Sequence, residues 1–435
     1  MRTALLCAAL FLSPLAVRTP CQTPQKLDTL DSGLLHSMLH EAYNTVKKNY
    51  YDTTFHGIDL DERYHAYDDR LKTVTNLGAG FHVVAAFLSG FHDSHLFFLP
   101  PRRAVRFIPG YRMDTVGDKC FVTQVKPGSD AAKKLHRGDE IVHFNTFAVG
   151  RQDLWDIEYG FHVLDPAPTE RLDLVSPDDG AETVTIHSSV VPLKRNLNLG
   201  LPSDVGDMIR EEESDEDLTR ERVVETKDVL YWKMAQFSAS DTVIGGVFDK
   251  AREHPVLVID LRGNPGGSID TLQWVVGNLF DHDIKISDRV GRKEKKPQIA
   301  KAARSPFKGK VIVLIDARSA SSSELLARVV QLEHRGVVLG DISAGAVMEA
   351  QRFYIQVGDQ SVIRYGFQVT DANLIMKDGK SLEQVGVMPD ERILPTAADL
   401  AEHRDPVLAR ASELAGDPMD PTAAAKMFPF EWSQY

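Results

Sequence analysis

The 435 residues of this chain correspond to roughly three domain-sized units, at about 150 residues per domain. A hydrophobic fraction of 43% and a charged fraction of 26% are ordinary for a globular protein with a sizeable core. The net charge of −12 argues against nucleic acid and against an anionic membrane surface as partners.

Residues 1–20 have the pattern of a secretory signal peptide. The basic residue Arg2 precedes a short apolar run that ends in small residues near Ala16. This run is too short for a membrane span, and no other apolar run in the sequence is long enough to cross a bilayer. We therefore expect an exported protein, periplasmic or extracellular. Cys21 and Cys120 would remain after cleavage, and their placement suggests no disulfide framework.

Residues 28–100 read as an N-terminal helical region. Apolar residues recur there at helical spacing, namely Leu35, Leu39, Ala42 and Val46. The segment "LGAGFHVVAAFLSGF" predicts a further, more buried helix. His36 and His40 lie four residues apart beside Glu41, but their order matches no zinc motif, so we expect surface histidines and no metal site.

Residues 104–193 change to a strand-rich pattern. A strand, a Pro-Gly turn, a short helix and a Gly-Asp turn lead into a second strand, and a helix and two more strands follow. The string V-x-P-G-S-x-A-x-x-x-L-x-x-G-D-x-I resembles a PDZ domain of the kind found with bacterial proteases. The resemblance implies binding of C-terminal residues of a peptide at a sheet edge. A purely structural PDZ domain remains an alternative.

The second half of the chain divides into three parts. The run "REEESDED" predicts an acidic linker over residues 203–227. Strands and helices alternate over residues 228–400, which is typical of an α/β core with a mostly parallel sheet. Residues 401–435 read as a C-terminal tail.

A serine-rich turn stands at one strand end of this core. The apolar strand "KGKVIVLIDA" is followed by "ARSASSSELLARVV", residues 317–330, which begins an amphipathic helix. Ser321 and Glu324 have the spacing of a capping box, and taken alone that interpretation is favoured. The alternative is a nucleophile, because backbone N–H groups and the helix dipole at such a turn would stabilise an oxyanion.

A second strand end carries the glycine-rich string "VIDLRGNPGGSID". Gly263, Gly266 and Gly267 could simply allow a tight turn before a helix. They could also leave backbone N–H groups facing a reacting carbonyl.

Together, "VIDLRGNPGG" and "SASSSELLA" resemble the serine peptidases of the C-terminal-processing (tail-specific) protease and tricorn-core superfamily. The resemblance covers most of the chain. It implies a ClpP/crotonase-like α/β catalytic core with an N-terminal helical region and an inserted PDZ domain. It further implies Ser321 as nucleophile, with oxyanion N–H groups at Ser322 and at the Gly266–Gly267 turn.

The tail-specific branch uses a lysine base 25 residues after its serine, but this chain has Ala346 there and no lysine between Lys310 and Lys377. The tricorn branch instead uses a Ser-His pair. The segments "GFHDSHLFFLPP" and "SLEQVGVMPDERI" resemble that branch and imply Ser94, His95 and Glu383 as the base and its partners. His92 is a rival base whose neighbours do not fit the pattern.

The sequence thus predicts an exported serine peptidase that forms an acyl-enzyme on Ser321, acts on peptide or protein substrates and needs no metal or organic cofactor. Two alternatives remain open: a catalytically degenerate peptide- or lipid-binding protein of the same fold, and a PDZ scaffold with a structural core. The sequence leaves the oligomeric state undetermined.

Overall fold

This computed structural model describes residues 27–177, 180–192, 221–358 and 363–432. The predicted signal peptide, Cys21 and most of the predicted acidic linker lie outside these ranges. Within them, no helix combines the length and the apolar character needed to cross a bilayer.

Three helices begin the described chain: α1 (Thr29–Asn49), α2 (Leu60–Leu71) and α3 (Leu77–Ser89). The four apolar residues whose spacing predicted the first of them are all fully buried. Asp28 and Asp59 cap α1 and α2 by accepting backbone N–H groups of the first turn. The helices pack their apolar faces together and against the sheet that contains Phe367.

The middle of the chain forms mostly antiparallel strands. The first nine strands of the chain are β1 (Phe97–Leu99), β2 (Val105–Ile108), β3 (Tyr111–Val116), β4 (Lys119–Val125), β5 (Glu140–Phe144), β6 (Phe147–Ala148), β7 (Thr169–Ser176), β8 (Gly180–His187) and β9 (Ser189–Pro192). Strands β3 to β8 form one six-stranded sheet in the order β3-β4-β5-β7-β8, with β6 paired to β5, while β2 pairs with β9. Helix α4 (Leu154–Glu158) continues into a π-helix over Tyr159–Leu164. We call residues 104–192 the inserted module; its identity as a PDZ domain stays a prediction.

The core sheet contains six strands in the order β10-β11-β12-β15-β16-β19, parallel except for the edge pair β10-β11. Their bounds are β10 (Arg222–Glu225), β11 (Val229–Lys233), β12 (Val256–Asp260), β15 (Lys310–Ile315), β16 (Gly336–Gly340) and β19 (Glu391–Arg392). Helices α5 (Asp241–Ala251), α6 (Ile269–Leu279) and α7 (Ser322–Leu332) cover one face. Apolar side chains on both faces are fully buried, as expected for a parallel sheet between two layers.

The second covering layer corrects two predicted boundaries. Helix α8 (Ala397–Ala401) ends the predicted core range, and helices α9 (Pro406–Ala415) and α10 (Pro421–Met427) lie in the segment predicted as a tail. Leu408 and Ala411 of α9 are fully buried against the sheet, so this segment is part of the core. The predicted linker is also too long at its end, because Arg222–Glu225 pairs with β11 as an edge strand.

A second sheet links the helical region to the core. It contains β13 (Ile284–Gly291), β14 (Lys295–Ala300), β17 (Met348–Val357) and β18 (Ile363–Met376). Its order is β1-β18-β13-β14, with β17 also paired to β18. Because β1 pairs with β18, the segment that precedes β1 is brought beside the core.

Candidate active site

Ser321 occupies the strand-to-helix turn between β15 and α7 with unusual backbone angles. Its φ of 55° and ψ of −117° are rarely adopted by a residue other than glycine. Gly266 packs directly on it, because a Cβ atom at Gly266 would lie 2.7 Å from Cβ of Ser321. A serine held on a strained turn at the start of a helix is the arrangement that exposes a nucleophile.

The conformation of this turn is held by Glu324, which is fully buried. Its carboxylate accepts the N–H of Ser321 at 2.9 Å, which is the reaching-back contact of a capping box. It also accepts the N–H groups of Gly345 and Ala346 at 2.8 and 3.0 Å and the hydroxyl of Ser343 at 2.6 Å. Burial raises the pKa of Glu324 to about 7, against the lowering effect of these hydrogen bonds. Capping and a reactive serine are therefore compatible at this turn.

The glycine turn after β12 lies against the serine turn. The Ser322 hydroxyl donates to the carbonyl of Gly267 at 3.0 Å, which ties the two turns together. The N–H of Gly266 is already used, since it donates to Oδ1 of the buried Asn264 at 2.8 Å. Among the described residues, the N–H groups of Gly267 and Ser322 donate no hydrogen bond. Of the three main-chain N–H groups expected to bind an oxyanion, only those of Gly267 and Ser322 therefore remain available, and that of Gly266 does not.

Ser94, His95 and Glu383 lie together although Glu383 follows Ser94 by 289 residues. The Ser94 hydroxyl lies 2.8 Å from Nδ1 of His95 and donates to Oε2 of Glu383 at 2.9 Å. The Ser94 hydroxyl has one proton and donates it to Glu383. The hydrogen bond between Ser94 and His95 therefore requires Nδ1 of His95 to be the protonated ring nitrogen and the donor. In the neutral imidazole this leaves Nε2 unprotonated, which is the state a general base needs.

The residues Ala346 and Val347 connect the two halves of the site. The carbonyl of Ala346 accepts the N–H of Ser321 at 2.9 Å. The N–H of Val347 donates to Oε2 of Glu383 at 2.8 Å. One dipeptide therefore binds the serine turn on one side and the carboxylate of the histidine cluster on the other. Ala346 is the position at which the tail-specific branch carries its lysine, and here its main chain has a positioning role.

Asp93 is a member of the site that the sequence analysis missed. Its carboxylate accepts the N–H of His95 at 2.9 Å, the hydroxyl of Thr370 at 2.7 Å and the phenol of Tyr50 at 2.9 Å. These contacts connect the histidine segment to Tyr50, directly after α1, and to Thr370 of β18. The only sequence signal was its place in "DSH", directly before the predicted pair.

The charge of His95 is controlled by burial and by two charged neighbours. Burial lowers the pKa of His95, Asp93 opposes that shift, and the nearby Arg352 adds to it. The rival base His92 is exposed and has a φ of 52°. Its carbonyl accepts the side-chain amide of Gln384 at 3.3 Å, which places its main chain at the rim of the site.

Two family models and several known proteins are similar to this chain. Residues 228–393 match the family model described as Peptidase family S41, and residues 35–85 match that of the Tricorn protease C1 domain. The chain is 26% identical to a tail-specific protease of Haemophilus influenzae over 330 residues, which is 71% of this chain and 45% of that protein. It is 29% identical to a putative tricorn protease homolog of Streptomyces coelicolor over 163 residues, which is 37% of this chain and 13% of that protein.

The chain thus spans less than half the length of these two relatives. Among solved structures, mature CPAF aligns with a TM-score of 0.65 at 14% identity, covering 86% of this chain and 95% of that one. This likeness confirms the predicted mixed α/β fold.

Proposed function

We propose that this chain, whose residues 228–393 match the family model described as Peptidase family S41, is a serine peptidase. It would cleave peptide bonds through an acyl-enzyme on Ser321. The observation that carries the proposal is the hydrogen-bonded chain from His95 through Ser94 to Glu383. The dipeptide Ala346-Val347 links this chain to the strained turn of Ser321. His95 is the general base of this proposal, and Ser94 and Glu383 are its positioning partners.

The reaction begins with Oγ of Ser321 attacking the carbonyl carbon of the scissile peptide bond while Nε2 of His95 takes the hydroxyl proton. The carbonyl oxygen gains negative charge and receives hydrogen bonds from the N–H groups of Ser322 and Gly267. The imidazolium then gives its proton to the leaving amine, which leaves an acyl-enzyme. Water, activated by His95, attacks the ester and releases the second product.

The carboxylate of Glu383 stabilises the imidazolium through the Ser94 hydroxyl. Burial raises the pKa of Glu383, and hydrogen bonds from the main-chain N–H groups of Ser94 and Val347 oppose that shift. The carboxylate is thus already oriented by the main chain before the imidazole becomes charged. This arrangement lowers the reorganisation required during proton transfer.

Export and peptide delivery belong to the same proposal. The signal-peptide pattern of residues 1–20 supports a periplasmic or extracellular location. The antiparallel sheet and Gly-Asp turn of the inserted module support its interpretation as a PDZ domain that binds substrate C-termini.

The direct test is active-site labelling with a fluorophosphonate. We expect one covalent adduct per chain on Ser321, which disappears in Ser321→Ala, because only that hydroxyl is activated. Ser323→Ala is the matched control: the Ser323 hydroxyl is buried and donates to the carbonyl of Asn264 at 3.0 Å, so labelling should persist. A folded protein that neither labels nor cleaves a peptide library would instead be a binding protein of this fold.

The pH dependence of activity should report His95. Because burial lowers its pKa, kcat/KM should rise with pH through one ionisation whose midpoint lies below the ordinary histidine value of 6.5. Arg352→Gln removes a positive charge that lowers this pKa, so the midpoint should move to higher pH.

The exposed position of Arg352 implies that its effect should fade at high salt. Arg364→Gln is a suitable control, since it lies further along the same hairpin. A midpoint that moves equally in both variants would contradict the assignment of the ionisation to His95.

A further inference from the structure

Helix α4 of the inserted module contacts both halves of the proposed site. Glu158 binds the guanidinium of Arg318 through both oxygens, at 2.7 and 3.1 Å, three residues before Ser321. The next residue, Tyr159, donates its hydroxyl to the carbonyl of Phe98 at 2.6 Å, three residues after His95. The end of α4 and the start of the π-helix that continues it therefore contact the serine turn and the strand that follows the base.

Trp155 lies on the same face of this helix. Residues at positions i, i+3 and i+4 are neighbours on a helix surface, which places Trp155 beside Glu158 and Tyr159. Leu154 and Ile157 point the other way and are buried in the core of the module. Trp155 is directed toward the side of the helix that contacts the site, yet 51% of its surface is exposed. An open space therefore lies in front of the indole.

Two further rings complete an aromatic wall. The indole of Trp155 stacks on Tyr159 with ring centroids 4.9 Å apart and planes inclined by 23°. The ring of Phe97 meets both of them edge-on, at 6.1 Å from Trp155 and 6.3 Å from Tyr159. Phe97 follows His95 by two residues in the chain and lies in β1, the strand directly after the base.

We propose that Trp155, Tyr159 and Phe97 form a subsite that binds an apolar or aromatic side chain of the peptide substrate, close to the scissile bond. The proposal rests on the proposed function, because it places the occupant by the position of His95 and Ser321. The wall is joined to the serine turn through Glu158 and Arg318 and to the strand after the base through Tyr159 and Phe98, so we expect a peptide bound at the site to contact it. Flat aromatic surfaces bind apolar and aromatic side chains through area burial and ring contacts.

The ion pair of Arg318 gives the wall a fixed position. Arg318 contacts Asp114 and the carbonyl of Met113 as well as Glu158, so the module is bound to the residues just before the nucleophile. The distance between the aromatic wall and Ser321 is thereby set by a short, charged connection. Because this distance is fixed, we expect the wall to bind the side chain at one particular position of the peptide relative to the scissile bond.

The test compares cleavage preferences on a peptide library read by mass spectrometry. Trp155→Ala should lower kcat/KM about tenfold for peptides with Phe or Leu at the selected position, and much less for those with Ala there. Trp155→Phe should retain most of the preference. Phe147→Ala is the matched control, because Phe147 is 53% exposed on the same module but packs on Phe161, away from the wall.

A second measurement follows binding without chemistry. In Ser321→Ala, the peptide acetyl-Ala-Ala-Phe-amide should change the tryptophan fluorescence more strongly than acetyl-Ala-Ala-Ala-amide, and Ser321→Ala/Trp155→Phe should lose that difference. The subsite would be overturned if wild type and Trp155→Ala had the same preference for Phe or Leu over Ala. It would also be overturned if Trp155→Ala changed the oligomeric state and left that preference unchanged. An absence of labelling and cleavage in the wild type would overturn the proposed function itself.

Discussion

His95→Ala should lower kcat for peptide hydrolysis about 10⁴- to 10⁶-fold, as far as Ser321→Ala does, and the double variant should be no slower than either single variant. The reason is that the nucleophile and its base act as one unit. Without Nε2 of His95 the Ser321 hydroxyl keeps its proton, and without the hydroxyl the imidazole has no proton to accept.

Glu383→Gln should cost less than His95→Ala. The amide oxygen can still accept from Ser94, but a neutral side chain stabilises the imidazolium poorly. Initial rates on one peptide for the full set of variants provide the comparison, with His92→Ala as the matched histidine control. If His92→Ala were inactive while His95→Ala kept wild-type turnover, the assignment of the base would be wrong.

Glu324→Ala should lower the free energy of unfolding by about 3–5 kcal/mol, because it leaves buried donors without an acceptor. The main-chain N–H groups of Gly345 and Ala346 and the Ser343 hydroxyl lose their acceptor at once, while the N–H of Ser321 keeps the carbonyl of Ala346. Urea unfolding followed by circular dichroism measures the loss. Glu413→Ala is the control, since its side chain is 63% exposed in an ion pair with Arg410, and a change within about 0.5 kcal/mol is expected. Equal losses in the two variants would contradict this account of the serine turn.

The same glutamate should make stability depend on pH. Its folded-state pKa of about 7 lies above the ordinary value of 4.5. Between these values the folded protein binds more protons than the unfolded chain, so this contribution is fully present at low pH and is lost as the pH rises through 7. The stability difference between wild type and Glu324→Gln should accordingly shrink by about 3 kcal/mol from pH 4.5 to pH 8. If the stability difference between wild type and Glu324→Gln instead grew with pH, the hydrogen-bond donors would stabilise the ionised Glu324 more than burial destabilises it.

The helices of the N-terminal region and the parallel strands of the core could be predicted from the sequence. In both, apolar residues recur at the positions that become buried. The resemblance to tail-specific and tricorn proteases is confirmed by family matches in both the core and the helical region. The C-terminal helices were missed even though Asp405-Pro406 and Asp420-Pro421 each provide a capping residue followed by proline at the first helical position.

The candidate site was only partly accessible from the sequence. Motifs identified Ser94, His95, Ser321 and Glu383 as separate short strings, and the structure brings the first two together with the last. The role of Asp93 could not be read in the same way, because its partner Thr370 is 277 residues distant and is placed by strand pairing. Likewise, the hydrogen bond from Gly266 to Asn264 depends on a local turn geometry that a glycine pattern does not specify.

The position of Ala346 and Val347 between the serine turn and Glu383 has a consequence for the newly made chain. On the proposed mechanism, a product that stalls in synthesis before Glu383 contains both Ser321 and His95 but lacks the carboxylate that supports the charged imidazole. We expect such a fragment to hydrolyse peptides more slowly than the complete core does. On this mechanism full activity requires Glu383 to be translated and folded against Ser94 and Val347, so we expect the order of synthesis to delay full proteolytic activity.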